Sequence, residues 1–131
     1  METRCAVQAL KVFIVEDSPP IRDRLIELMD EADGAAVVGV ADTPSDAIAG
    51  ILKTRPDCVV LDYQLIGGTG VDVLRAVCPK APRTVFVVLT NHMDAQYRRL
   101  CLDAGARWFL DKSTDFRKIK EVIGALAPAS E

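Results

Sequence analysis

Apolar and polar positions follow two alternating rhythms along the chain. Five short, nearly continuous apolar runs stand out: Leu10–Val15 (LKVFIV), Ala35–Ala41 (AAVVGVA), the stretch from Cys58 into Asp62 and Tyr63 (CVVLDY), Thr84–Leu89 (TVFVVL) and Ala106–Leu110 (ARWFL). Runs of this length between turn-forming or charged residues predict buried strands. Between them the apolar residues recur every three or four positions. Ile21, Leu25, Leu28, Met29 and Ala32 form one such set. Ala47, Ile48, Ile51 and Leu52 form a second, and Val71, Leu74 and Val77 a third. Tyr97, Leu100, Cys101 and Ala104 form a fourth, and Phe116, Ile119, Val122, Ile123 and Leu126 a fifth. That spacing predicts five helices, each with one face inward.

The punctuation agrees. Ser18-Pro19 and Thr43-Pro44 place a capping hydroxyl before a Pro suited to a first helical turn. Asp33-Gly34 and Arg55-Pro56-Asp57 stop the helices they follow, the second because a residue before Pro avoids right-handed helical geometry. Gly70 leads the third helix, which should end near Pro79 and Pro82. Asp94 to Ala104 reads as the fourth helix, with Gly105 at its C-terminus. Ser113 or Thr114 should cap the fifth. Ala127 to Glu131 should fray. Five strand–helix alternations imply a parallel sheet covered on both faces and joined by right-handed crossovers. Val-rich strands without clean polar alternation fit such a sheet. No linker, repeat or second domain is visible, so one domain over 1–131, with its core at about 11–126, is expected.

Composition narrows the class. At 131 residues, half of them hydrophobic and 27% charged, the chain can bury a real core. A net charge of -3 gives no general attraction to nucleic acid or anionic membrane. No apolar run approaches the ~20 residues of a membrane span, and Met1 to Leu10 lacks a secretory apolar core. The four cysteines, Cys5, Cys58, Cys78 and Cys101, include no Cys-x-x-Cys pair. That disfavours a zinc or redox site and fits reduced thiols in a cytoplasmic protein.

The polar residues at the strand ends carry the candidate chemistry. The first strand runs into Glu16-Asp17, the third into Asp62, the fourth into Thr90 and the fifth into Asp111-Lys112. In a parallel sheet those ends share one edge, the edge where open α/β folds place their sites. Each residue alone has an ordinary explanation as a cap, a turn residue or a solvated lysine. Their joint placement is the signal. Two carboxylates ~4 Å apart repel by roughly 4 kcal/mol at an effective dielectric of ~20, so converging acids need a cation or shifted pKa values. Lys112 supplies one charge and leaves the cluster acidic. Carboxylate oxygens without a His or Cys partner suit Mg2+, and His92 reads as a loop residue. A carboxylate beside such a metal can act as a phosphoryl-accepting nucleophile.

In this order, on five strand–helix units, these residues resemble the receiver domain of response regulators in bacterial two-component signalling. The resemblance spans roughly Lys11 to Leu126, and Gly70 and Gly105-Ala106 fit it too. It implies a flavodoxin-like doubly wound sheet with strand order 2-1-3-4-5. It implies that Asp62 takes a phosphoryl group from a sensor histidine kinase or phosphotransfer protein, with no catalysis beyond its own phosphorylation and dephosphorylation. Asp17, Asp62, Glu16 and the backbone carbonyl of Gln64 would hold Mg2+. Lys112 would pair with Asp62 and the phosphoryl group, Thr90 would move toward it, and Phe109 would be the aromatic switch, swinging inward. The output partner, not named by the sequence, would use the face of the fourth helix, fifth strand and fifth helix.

Several positions depart from the family pattern. Ile66 and Ser113 stand where Pro is common, which puts a cis Lys112–Ser113 peptide in doubt. Asn91 replaces a small residue and should slow small phosphodonors. Gln64 and His92 occupy positions that tune phosphate lifetime. Trp108 is expected to pack in the core under the last helix. Arg98, Arg99 and Arg107 nearby read as a solvated face or a partner contact. Two other readings stand beside the receiver: a scaffold that binds partners without phosphorylation, and a flavin-binding flavodoxin-like protein. The intact acid, Thr and Lys set disfavours the first. Glu16-Asp17 would repel a flavin phosphate in the second.

Overall fold

The computed structural model describes residues 10–31, 34–91 and 94–126. Cys5, Ala32, Asp33, His92 and the expected fraying of Ala127 to Glu131 lie outside the described residues. The strands are β1 (Leu10–Val15), β2 (Ala35–Ala41), β3 (Cys58–Asp62), the two-residue pair β4 (Gln64–Leu65) and β5 (Gly68–Thr69), β6 (Val85–Thr90) and β7 (Trp108–Asp111). The helices are α1 (Pro19–Glu31), α2 (Pro44–Thr54), α3 (Gly70–Val77), α4 (Ala95–Asp103) and α5 (Lys118–Leu126). The main sheet is all parallel, ordered β2-β1-β3-β6-β7. That is the expected 2-1-3-4-5 order once the two tiny strands are left out of the numbering.

Strand alternation sorts the core into two layers. Phe13, Val15, Val59, Leu61, Phe86, Val88 and Phe109 face the layer that contains Ala47 and Ile51 of α2, Val73 and Leu74 of α3, and Cys101 of α4. Val12, Ile14, Cys58, Val60, Val87, Leu89 and Leu110 face Leu25 and Met29 of α1 and Ile119, Val122 and Ile123 of α5. Each fully buried side chain of this size is worth about 1.5–3 kcal/mol in apolar burial. The central strand β3 is buried at all five positions, so the backbone that carries Asp62 has little freedom.

β2 follows the register of β1 except at one place. Val12 pairs with Val37, but Phe13 pairs with Gly39, so Val38 is an extra residue. The bulge sets a glycine opposite the Phe13 ring. A Cβ on Gly39 would lie 2.5 Å from that ring, and one on Gly50 of α2 would lie 2.6 Å from it.

The helix boundaries follow the caps with one exception. Thr43 accepts from the Asp46 N–H at 3.1 Å and Pro44 opens α2. Arg55 ends α2 by turning left-handed, at φ 50°, which satisfies the constraint of Pro56 without glycine. Asp94 caps α4 through the Gln96 N–H at 2.7 Å. α3 passes into a single 3-10 turn at Cys78–Lys80, as the nearby prolines require. The exception is α5, which begins at Lys118 and not at Ser113 or Thr114. Ser113 gives both its N–H and its hydroxyl to Asp111 Oδ1, at 2.8 and 2.7 Å. It and Thr114 sit in a turn ahead of α5, too far from Lys118 for either hydroxyl to accept from the first N–H groups of the helix.

Two other expectations need correction. Trp108 is 39% exposed. It shares a face with Leu110 by alternation, but it sits at the start of β7, and core packing under α5 does not enclose it. Leu100, expected to point inward from α4, is also 39% exposed, which leaves Cys101 as the one buried residue of that helix. Tyr97 compensates by stacking on Tyr63, with ring centroids 4.5 Å apart.

Candidate functional site

Glu16 follows β1, Asp62 ends β3, Thr90 ends β6 and Lys112 follows β7. Parallel pairing brings these ends to one edge: Asp62 lies opposite Leu89, and Thr90 opposite Asp111. A cavity of about 230 Å3 opens there, lined by Glu16, Asp17, Ser18, Ile21, Asp62, Gln64, Thr90, Asn91 and Lys112. All the expected site residues except Phe109 line it. Phe109 is buried in the layer against α2, α3 and α4, so it is already inward in this structure.

Local packing fixes the strand end that carries Asp62. Gly70 donates its N–H to the Tyr63 carbonyl at 2.6 Å. A Cβ on Gly70 would sit 2.7 Å from the Asp62 carbonyl oxygen and 3.2 Å from Leu61. Only glycine lets the start of α3 approach the Asp62 backbone so closely. Between them, Gln64–Leu65 and Gly68–Thr69 form an antiparallel ladder around Gly67, which has φ 86°. Sequence periodicity missed this hairpin, because two residues per strand carry no pattern. The Gly67-Gly68 pair after two polar–apolar steps was the available signal.

The electrostatics are those of a crowded acidic pocket. Glu16 and Asp62 are almost fully buried. Lys112 Nζ lies 2.9 Å from Glu16 Oε1 and 3.1 Å from Asp62 Oδ2. Glu16 Oε2 accepts from the Ser18 N–H at 3.1 Å. Burial raises the Glu16 carboxyl from 4.5 to about 7, and the Asp62 charge adds to this while Lys112 opposes it. Asp62 is also raised, by burial and by Asp17, against the pull of Lys112. Burial alone would lower Lys112, but the Glu16 and Asp62 carboxylates raise it overall, so it stays charged. The Lys112 backbone is held by its N–H on the Thr90 carbonyl at 2.8 Å. Among the described residues no peptide bond is cis, so Lys112–Ser113 is trans.

The donor set fits a hard divalent cation. Glu16, Asp17 and Asp62 each offer an oxygen within 4.8 Å of the others. Glu16 Oε1 is buried and, although paired in charge with Lys112, receives no well-directed hydrogen bond. Three carboxylates face one ammonium across the cavity. An oxygen-only set with surplus negative charge matches Mg2+, which keeps part of its water shell.

An open parallel α/β sheet with an acidic pocket, a hydroxyl and a lysine at its carboxyl edge defines a phosphoacceptor class of fold and site. The family comparison agrees: the response regulator receiver domain model matches residues 12–124, and the chain belongs to that family. It is 31% identical over 121 residues to protein-glutamate methylesterase/protein-glutamine glutaminase 3 of Pseudomonas syringae pv. syringae, covering 88% of this chain and 31% of that protein. It is 30% identical over 103 residues to the DNA-binding transcriptional activator DevR/DosR of Mycobacterium tuberculosis, covering 79% of this chain and 48% of that one. The response regulator domain of Thermotoga maritima CheB superposes with a TM-score of 0.79 at 24% identity, covering 91% of this chain and 94% of that one. The chain thus spans about half or less of these two curated relatives. It is a phosphoacceptor receiver domain of the two-component class. Among the described residues no helix is long and apolar enough to cross a membrane.

Proposed function

We propose that Asp62 is the phosphoacceptor of this receiver and that the transfer depends on Mg2+ held by Glu16, Asp17, Asp62 and the Gln64 carbonyl. The observation that carries this is the Lys112 ammonium between Glu16 and Asp62, with three carboxylate oxygens within 4.8 Å of one another. Asp62 attacks the phosphorus of a phosphohistidine on a kinase or phosphotransfer protein. A P–O bond to the carboxylate forms, the P–N bond breaks, and the imidazole leaves and takes a proton. Bound Mg2+ would neutralise charge on the phosphoryl oxygens. Lys112 holds Asp62 in place and receives the added negative charge, and the Thr90 hydroxyl takes a phosphoryl oxygen.

The domain acts as one unit in the cytoplasm and signals through α4, β7 and α5 to a protein partner. Trp108 of β7 exposes apolar surface there. Phe109 is the aromatic element of the switch.

The test is labelling with radioactive acetyl phosphate or a phosphorylated kinase. Label should appear only with Mg2+, be labile to hydroxylamine as an acyl phosphate, and vanish in Asp62→Ala. Label that persists in Asp62→Ala would refute Asp62 as the acceptor, and no label from any donor would refute the reading and leave a phosphorylation-independent scaffold.

A further inference from the structure

The segment from Lys112 to Lys118 contains the most densely bonded turn at the site's edge, and the chemistry above uses only its first residue. Lys112 is the first residue beyond β7, and Ser113 to Arg117 belong to neither a strand nor a helix. A lysine at such a position would ordinarily have a mobile backbone under a flexible four-carbon stem. Here its ammonium must reach Glu16 and Asp62 together, at 2.9 and 3.1 Å.

The turn is closed by two carboxylates that do not line the cavity. Asp111 Oδ1 reaches over Lys112 to accept from the Ser113 N–H at 2.8 Å and the Ser113 hydroxyl at 2.7 Å. Lys112 is therefore the central residue of an Asx turn. Asp115 Oδ2 reaches back to the Asp111 N–H at 3.1 Å, and the Asp115 N–H donates to the Asp111 carbonyl at 2.7 Å. The Lys118 N–H then bonds the Asp115 carbonyl at 2.8 Å, joining the turn to the start of α5. Phe116 anchors the far side: it is buried in the α1–α5 layer, with the Arg24 guanidinium 4.7 Å from its ring centre. On the near side the Lys112 N–H is fixed to Thr90. Both ends of the Lys112 backbone are thus tied, one to β6 and one through Asp111 to α5.

We propose that Asp111, supported by Ser113 and Asp115, is a positioning residue for phosphoryl transfer, holding the Lys112 backbone so that its ammonium meets the phosphoacceptor. The inference rests on the assignment of Asp62 above. Asp111 acts through Lys112 and touches neither the donor nor the metal site. The same bonds hold both carboxyls below their usual range, Asp111 through Ser113 and Asp115 through the Asp111 N–H, so each is an ionised acceptor at neutral pH. A displaced ammonium weakens the phosphoryl contact and loosens its pairing with Glu16 and Asp62, but it removes no Mg2+ oxygen and takes away a positive charge that competes with the cation. That separation is what the experiment reads.

The experiment compares the full chain with Asp111→Ala and Asp111→Asn. Three quantities are measured: labelling rate from acetyl phosphate at saturating Mg2+, affinity for fluoroberyllate as an acyl-phosphate mimic, and affinity for Mg2+ alone by calorimetry. A shift of the lysine by a fraction of an ångström should slow Asp111→Ala labelling about tenfold and weaken fluoroberyllate by a similar factor. Mg2+ affinity should not fall, because the retreating ammonium competes with the cation for Glu16 and Asp62, and Asp111→Asn, which keeps the acceptor oxygen, should label at close to the wild-type rate. An Asp111→Ala variant that labels as fast as wild type overturns the proposal. So does a loss of Mg2+ affinity in step with the rate, or an Asn variant as slow as the Ala one. If Asp111→Ala does not fold, Asp115→Ala removes only the outer support; it should slow labelling with no loss of Mg2+ affinity, and an unchanged rate overturns the proposal. A wild-type chain that takes no label defeats the Asp62 assignment itself, and this inference with it.

Discussion

Glu16→Gln isolates what the acidic pocket costs the fold. Glu16 is 1% exposed, and its carboxyl is raised from 4.5 to about 7. A raised carboxyl means that the folded state binds the proton more tightly than the unfolded state. Its stabilising contribution is complete below the unfolded value of 4.5 and is lost as the pH rises through about 7. At about 1.4 kcal/mol per pH unit, that interval corresponds to a loss on the order of 3 kcal/mol. Asp62, raised from 3.8, acts with the same sign. Lys112 is raised from 10.5, so its contribution is complete throughout neutral pH and is lost only in strong base. Urea unfolding of the metal-free protein, followed by far-UV circular dichroism, should therefore show stability falling between about pH 5 and about pH 8. Glu16→Gln should remove most of that slope, and the remainder belongs to Asp62. Saturating Mg2+ should flatten the wild-type profile, because the cation favours the ionised carboxylates. A Gln variant with the same slope as wild type would show that Glu16 is not the strained group. A wild-type profile untouched by Mg2+ would separate the cluster from metal binding.

Two further substitutions probe the walls of the site. Gly70→Ala forces a Cβ to within 2.7 Å of the Asp62 carbonyl oxygen, where backbone must give way; it should cost about 1–3 kcal/mol in unfolding and slow labelling, whereas a variant as stable and as fast as wild type would contradict the close approach described. Asn91→Ala opens the lip of the cavity and should raise the labelling rate from acetyl phosphate; an unchanged rate would mean that Asn91 does not restrict access.

Most of the fold was legible because its signals are redundant. Each main strand is a run of apolar residues between breakers, and Glu16, Asp62 and Thr90 are the first polar groups past such runs, with Lys112 one residue further on. Asp62, Thr90 and Lys112 could therefore be placed on one edge before any contact was known. What could not be read depends on partners distant in sequence or on very short patterns. Alternation assigned Trp108 to a sheet face, but it carries no information on how far along that face the helix cover extends. Ser113 has the right chemistry for a helix cap, yet the bonds among Asp111, Ser113 and Asp115 fold it into a turn ahead of the helix. The Val38 bulge is invisible in a run of small apolar residues, because it shows only in the pairing with the neighbouring strand, where Gly39 meets Phe13. The raised carboxyl of Glu16 requires knowing that the fold buries it beside Asp62, with Lys112 opposing the shift.

The Phe13 ring lies between two glycines, one on β2 and one on α2, each leaving no room for a methyl group. What positions 39 and 50 can tolerate is therefore decided at position 13. A smaller side chain at 13 would open a void and, in the same step, make room for alanine at either glycine. Substitutions at these three sites should not add. The edge strand, the first strand and the second helix form a single heritable unit, in which sequence drift at one position changes which drift is permitted at the other two.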